Sequence, residues 1–451
     1  YKGKIRYWEV WNEGNGGFND DHDTTADYAR LAAEAGAAAR KADVNARVGL
    51  TVASFDAPYL REAVRAQVAA GQTDVFDFLC IHPYEIADGL AEVDGEIPFL
   101  WMRHRLRQAI RSVAPKKADV PIWITEVGRR LDARAGRVVT ETDAANGLVK
   151  IYTLAIAQGI AHTQWFEAQD PVGEEPGFGL IDRNGQTRPA YAALKTLTTK
   201  LGPTPEVLGW LQLGAKGRGY GFVFHKGSEP VLVAWMPPGE KATMTLKEPV
   251  FVGDLPGRSR LLADGMPLDL GDVPIFVNPL PQDLLKLAKA NAAKPYPWGG
   301  NYASASGVSL DFAAPESQGV FTLARRTIHK FADGSQGWKL GANEGSNFFV
   351  HPSFATMDTR DYYIRLTVRR IGPGNVGMNC VYEVADSQGR TPYKNVGDWF
   401  GLQTDEGWQT HTWHVTDACF SAMWGYDFCF RPEQSVPFVI GKIEVSTQPF
   451  K

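Results

Sequence analysis

The sequence predicts an α/β fold at its N-terminal end, a (β/α)8 TIM barrel of which five units are present, followed by two antiparallel β-sandwich domains. Three observations carry this. Short apolar runs alternate with longer amphipathic helical patterns over the first two hundred residues, which implies parallel strands with helices outside. No G-x-G-x-x-G or G-x-x-x-x-G-K-[ST] follows any of these strands, which favours a barrel over an open nucleotide-binding sheet. From about residue 201 the pattern changes to short strands punctuated by Gly and Pro.

The first strand is read at "IRYWEVWN" (5–12) and the first helix at "TTADYARLAAEAGAAARKAD" (24–43), which opens on a Thr24-x-x-Asp27 capping box. "ARVGLTV" (46–52) is a strand, "PYLREAVRAQVAAG" (58–71) a helix closed by Gly71, and "FDFLCIHPY" (76–84) the third strand. A helix near 98–113, the strand "VPIWITEVG" (120–128), a helix near 141–158, the strand "AHTQWF" (161–166) and a helix from Pro189 to Lys200 complete five βα units. Three more units, about 90–120 residues at roughly 30 per unit, would close an eight-stranded barrel. They are expected before Tyr1, as a preceding segment or as a separate chain acting as partner.

The strands "GYGFVFHKG", "PVLVAWMPPG", "ATMTLKEPVFVGDL" and "VPIFVNPL" define a small β side domain. With the linking helix "PQDLLKLAKANAA" (281–293) it occupies 201–293, leaving 1–200 to the barrel. "KPYPWGGNYASASG" (294–307) is a strap into a third domain, 294–451, where "YYIRLTVRRI", "MNCVYEVAD", "WQTHTWHVT", "YDFCFRPE" and "PFVIGKIEVS" have sandwich spacing.

Composition narrows the function. With 44% hydrophobic residues, 22% charged residues and a net charge of −4, the chain has no electrostatic case for nucleic acid or an anionic membrane. No apolar run is long enough to span a bilayer. The four cysteines, Cys80, Cys380, Cys419 and Cys429, lack metal-ligand spacing, and one disulfide among the C-terminal three is left open. No cofactor or metal is expected.

The chemistry gathers at the strand ends. Simple alternation puts Glu9, Trp11 and Glu13 on one face of the first strand, with Glu13 at its C-terminal end, the end at which barrels build active sites. The other strands end near Ser54, in His82-Pro83-Tyr84, in Thr125-Glu126, and near Trp165 and Glu167. A single Glu there reads as a solvated loop residue. Two carboxylates, Glu13 and Glu126, on strands three units apart read as the pair that glycosidic cleavage needs. Glu9, one layer deeper, is expected to bond an Arg or His inside the barrel.

"EVWNEGN" and "WITEVG" resemble the motifs of clan A glycoside hydrolases, and the surrounding phrasing most resembles family 39, with Gly14 where that family usually has proline. In that clan an Asn-Glu pair ends the fourth barrel strand and a second Glu ends the seventh, so the resemblance makes this chain units four to eight. It implies that Glu13 is the acid/base, Glu126 the nucleophile, and Asn12 a donor to the sugar 2-hydroxyl. Tyr84 would hold the nucleophile, His82 would line the pocket and Trp165 would be the sugar platform.

The function so implied is a retaining glycoside hydrolase cleaving β-glycosidic bonds in an oligo- or polysaccharide, secreted or periplasmic. Its carboxyl groups are expected about 5–5.5 Å apart. The alternative is a non-catalytic carbohydrate-binding or scaffold protein. The C-terminal domain loosely resembles a jelly-roll carbohydrate-binding module, and its Trp338, Trp399, Trp408, Trp413 and Trp424 suit either sugar faces or a core.

Overall fold

A computed structural model describes residues 1–19, 23–131, 138–172, 177–227, 229–314, 317–324, 326–341, 346–355, 357, 360–374, 377–384, 393–402, 407–432 and 436–451. Asp20, Ala385, Asp386 and Glu433, which the sequence reading placed in a loop and at two strand ends, lie outside the described residues.

The first two hundred residues form β1 (Tyr7–Val10), α1 (Thr25–Ala42), β2 (Arg47–Ala53), α2 (Ala57–Ala69), β3 (Phe78–His82), α3 (Tyr84–Asp88), α4 (Glu96–Leu100), α5 (Met102–Arg111), β4 (Ile122–Val127), α6 (Glu141–Gln158), β5 (His162–Trp165) and α7 (Pro189–Leu201). β1 runs parallel to β2, and β4 runs parallel to β5. The interior of β2 and all of β3 are buried, as strands covered on both faces must be. The helix expected near 98–113 is two pieces that meet at Trp101.

By contact density the chain divides into two compact units, residues 1–81, 101–122 and 299–451 in one, 82–100 and 123–298 in the other. In the first, the Thr24–Asp27 capping box starts α1 as the sequence indicated. The buried Tyr28 hydroxyl donates to Val10 O at 3.3 Å and accepts from Thr51 N at 2.8 Å, tying α1 to β1 and β2. Glu9 is half-buried and registers with Gly49, where an added Cβ would sit 2.4 Å from the Phe78 ring.

The same unit holds two six-stranded antiparallel sheets with an apolar core between them. Trp338 and Trp413 are fully buried in that core, which removes them as sugar platforms, whereas Trp399 and Trp424 are partly exposed. All four cysteines are free and buried. Val381, not Cys380, registers with Cys429, so the two thiols point to opposite faces of their sheet and cannot pair.

Arg105 of α5 is wholly buried against these sheets and donates to Ser421 O at 2.7 Å and Val350 O at 3.3 Å. Glu383 and Asp427, equally buried, face it electrostatically. Glu383 accepts from the Ser421 and Ala422 amides and the Ser421 hydroxyl; Asp427 accepts from the Val350 and Ala422 amides. Burial, and then the charge of Asp427, pushes the Glu383 carboxyl well above the usual range, so this site holds a proton.

In the second unit, residues 206–278 form one six-stranded antiparallel sheet and a two-stranded ribbon over a common core, with the helix Gln282–Asn291 following. Lys150 of α6 pairs with Glu96 of α4 at 3.0 Å, and the Trp235 indole N–H donates to the same Glu96 Oε1 at 2.8 Å. The strap adds Trp298, whose ring centroid lies 4.6 Å from that of Tyr220.

Candidate active site

β3 ends because Pro83, lacking an amide proton, cannot extend the ladder, and Pro83 then caps α3. His82 thus closes a strand and Tyr84 opens a helix. Two residues apart in sequence, they present an imidazole and a phenol near one carboxylate.

That carboxylate belongs to Glu126. Along β4, Ile124 registers with Thr163 and Val127 with Trp165, three steps on one strand against two on the other. One extra residue therefore sits at Thr125-Glu126, a β-bulge of the kind that re-aims side chains beside active sites. The Tyr84 hydroxyl donates to Glu126 Oε2 at 3.0 Å, and His82 Nδ1 lies 3.9 Å from the same oxygen. His82 Nε2 is 3.0 Å from Thr125 Oγ1, so both bulge residues address one imidazole. The His82 ring is buried while the Glu126 side chain keeps 30% of its surface exposed. No lysine or arginine among the described residues pairs with Glu126. The carboxylate is oriented by the phenol hydroxyl, with the imidazole beside it.

The Tyr84 ring meets Phe178 at 5.6 Å and Phe166 at 6.4 Å, both edge-on, and the two phenylalanines meet at 5.5 Å. Trp165 is half-buried and its indole N–H donates to Phe178 O at 3.0 Å. Phe166 and Phe178 are aromatic walls that the sequence reading missed. Phe178 lies in "GFGLIDRNGQTRPAYAALKTL" (177–197), whose legible signals are a turn at Gly185 and a helix start at Pro189. Both of those features are present.

A buried lock shapes this segment. Asp170 accepts from Gly179 N at 2.7 Å and Gly177 N at 3.2 Å, and pairs with Arg188 at 2.5 Å. Burial pushes the Asp170 carboxyl up, but Arg188 and the two amides outweigh it and hold it below the usual range.

Glu13 lies in the other compact unit, and its setting corrects the sequence reading. β1 stops at Val10, not at residue 12, and both Trp11 (φ 66°) and Glu13 (φ 49°) are left-handed, so strand alternation does not reach them. Trp11 is consequently 61% exposed, its indole N–H donating to Phe18 O at 3.1 Å. Glu13 and Asn12 are half-buried in the turn. Asn15 pins the turn to β2, accepting from Ala53 N at 2.7 Å and donating to Ala53 O at 3.3 Å and to Asp56 at 2.9 Å. A Cβ at Gly14 would meet the Tyr28 ring at 3.2 Å, so the residue that departs from the family 39 pattern lies against α1. A cavity of about 430 Å³ beside the turn is lined by Trp11, Phe18, Leu31 and Tyr59, and Glu13 is not among its lining residues.

No family model matches the chain, and no curated protein sequence matches it. Among solved structures it is similar to a GH30 endoxylanase from Clostridium papyrosolvens C71, at 15% identity and a TM-score of 0.41 over 60% of this chain and 64% of that one. A glucosidase from Croceicoccus marinus gives 12% and 0.40 over 99% and 69%. An α-L-arabinofuranosidase from Thermotoga maritima gives 12% and 0.35 over 97% and 66%. The chain thus spans just under two thirds of the length of the endoxylanase. Likenesses of this degree carry no argument about mechanism, which rests on the residues.

Proposed function

We propose that the protein is a retaining glycoside hydrolase acting on β-linked oligo- or polysaccharide, outside the cytoplasm, with the barrel, side and C-terminal domains divided at 1–200, 201–293 and 294–451. The observation that carries this is the Glu126 site: a partly exposed carboxylate on a strand-end bulge, held by the Tyr84 hydroxyl and His82, with aromatic walls and no neutralising cation among the described residues.

In the proposed mechanism the Glu126 carboxylate attacks the anomeric carbon while Glu13, as a carboxylic acid, protonates the departing glycosidic oxygen. The C–O bond to the leaving group breaks as the glycosyl ester forms. Water then attacks the anomeric carbon, Glu13 takes its proton, and the ester bond to Glu126 breaks with net retention. Asn12 hydrogen-bonds the sugar 2-hydroxyl, His82 fixes the carboxylate through the bulge, and Trp165 with Phe166 offers an apolar face to the ring. The test is Glu126→Ala: turnover of an activated aryl β-glycoside should disappear. Unchanged turnover would remove Glu126 as nucleophile, and no turnover by the unsubstituted protein would return it to the binding or scaffold alternative.

A further inference from the structure

The cavity beside the turn after β1 has a chemistry that the hydrolytic assignment does not use. Its volume of about 430 Å³ is that of a small-molecule pocket. Three carboxylates line it, Asp23, Asp27 and Glu34, against one guanidinium, Arg30. Arg30 pairs with Asp27 at 3.2 Å, and Asp27 also accepts from the Thr24 amide and hydroxyl in the capping box. Asp23 and Glu34 are left, and neither carboxylate has an ion pair or hydrogen bond among the described residues. Asn19 fixes the place of Asp23, accepting from its amide at 2.8 Å and donating to its carbonyl at 2.9 Å.

Between these two charges the wall is apolar. Asp27, Leu31 and Glu34 fall on one stripe of α1, at i, i+4 and i+7, which sets Leu31 beside Glu34. Trp11 and Phe18, both largely exposed, border the same space. Trp11 is held there by its left-handed backbone, φ 66°, and by the bond from its indole to Phe18 O. A bulky residue seldom adopts that conformation, and such strain gathers at ligand sites.

Tyr59 supplies the independent observation. It is 2% exposed and lines the cavity, yet its hydroxyl has no hydrogen-bond partner among the described residues. A buried hydroxyl left unpaired is costly. A Cβ at Gly14, which also lines the cavity, would lie 3.4 Å from this oxygen, so the hydroxyl stands at the cavity wall under the turn. Burial, then the charges of Asp56, Asp23 and Asp27, pushes the phenol up and keeps it protonated.

We propose that this cavity binds a linear polyamine, one ammonium group on Asp23, another on Glu34, its methylene chain along Leu31, Trp11 and Phe18, and an N–H donated to the Tyr59 oxygen. The excess of carboxylates selects a cation. Two separated free carboxylates select a chain charged at both ends, since Glu34 lies about 15 Å along α1 from Thr24, the neighbour of Asp23. The aromatic rings suit ammonium as well as methylene groups. The site does not rest on the assignment of Glu126.

The experiment is calorimetric titration of the full chain with spermidine at low ionic strength, with octanediol as the uncharged probe. One spermidine per chain should bind, and octanediol should bind at least tenfold more weakly. Glu34→Gln should weaken spermidine binding at least fivefold, and Trp11→Ala should do the same. Tyr59→Phe keeps the charge and the ring and should weaken it severalfold, which diffuse attraction to an acidic surface would not. Glu229→Gln removes an exposed charge elsewhere and should change nothing. If spermidine does not bind, if octanediol binds equally, if Glu34→Gln and Tyr59→Phe bind unchanged, or if Glu229→Gln weakens binding as much as they do, the inference is overturned.

Discussion

Tyr84→Phe isolates one bond at the proposed nucleophile. The substitution deletes the hydroxyl that donates to Glu126 Oε2 at 3.0 Å and keeps the ring that packs against Phe166 and Phe178. A hydrogen bond to a charged acceptor contributes about 1.5–3 kcal/mol net. The Glu126 side chain is 30% exposed, which places this bond toward the lower end. At about 1.4 kcal/mol per decade, the loss corresponds to roughly a tenfold to hundredfold fall in rate. The tyrosine orients the attacking carboxylate, so kcat should carry most of the loss and KM little of it. Steady-state kinetics on an aryl β-glycoside, with near-ultraviolet circular dichroism to show intact packing, reads both. A variant with unchanged kcat would refute the claim that this bond positions a nucleophile. A variant that loses only KM would make Tyr84 a contact to the sugar.

Four further outcomes follow from buried residues. Arg105→Leu leaves Glu383 and Asp427 buried without their cation and should destabilise the protein by about 3–5 kcal/mol, seen as a lower denaturation midpoint. The Glu383 carboxyl is raised in the folded state, so its contribution to stability is complete below the unfolded value near 4.5 and is lost as pH rises toward the folded one. Glu383→Gln should flatten that part of the stability–pH curve, and an unchanged slope would place the proton elsewhere. The Asp170 carboxyl is lowered, so its contribution is present above the unfolded value near 3.8 and lost as the solution is acidified. Asp170→Asn should reduce acid sensitivity while lowering stability at pH 7, read by thermal unfolding at both pH values. Gly209 has φ 146° and an added Cβ would lie 1.9 Å from Ala288 O, so Gly209→Ala should cost more than about 2 kcal/mol in a denaturant titration.

Much of the α/β region was legible because its signals are local. The Thr24–Asp27 box, Gly159 ending α6 in the left-handed conformation and Pro189 starting α7 are fixed by neighbouring residues, and the helices begin and end where these stand. The end of β1 was not legible. Nothing in the composition of "YWEVWNE" says that Trp11 leaves the strand; the left-handed turn is imposed by Asn15 reaching Ala53 and Asp56, long-range contacts invisible to periodicity. Glu126 could be picked out, but the bulge that aims it could not, because a bulge is a relation between two strands. Phe178 was missed for the same reason, since its approach to Tyr84 depends on Asp170 gripping Gly177 and Gly179. In the C-terminal sheets, five tryptophans looked alike in sequence, and only the packing separates buried Trp338 and Trp413 from exposed Trp399.

The central claim is that Glu126 forms a covalent bond to sugar. The direct measurement is peptide mass spectrometry after inactivation with the 2-deoxy-2-fluoro form of whichever aryl β-glycoside the protein turns over. The account predicts one fluoroglycosyl group on the peptide carrying Glu126, absent in Glu126→Gln. A label on a different residue, or turnover that releases the inverted sugar with no covalent adduct, would contradict it.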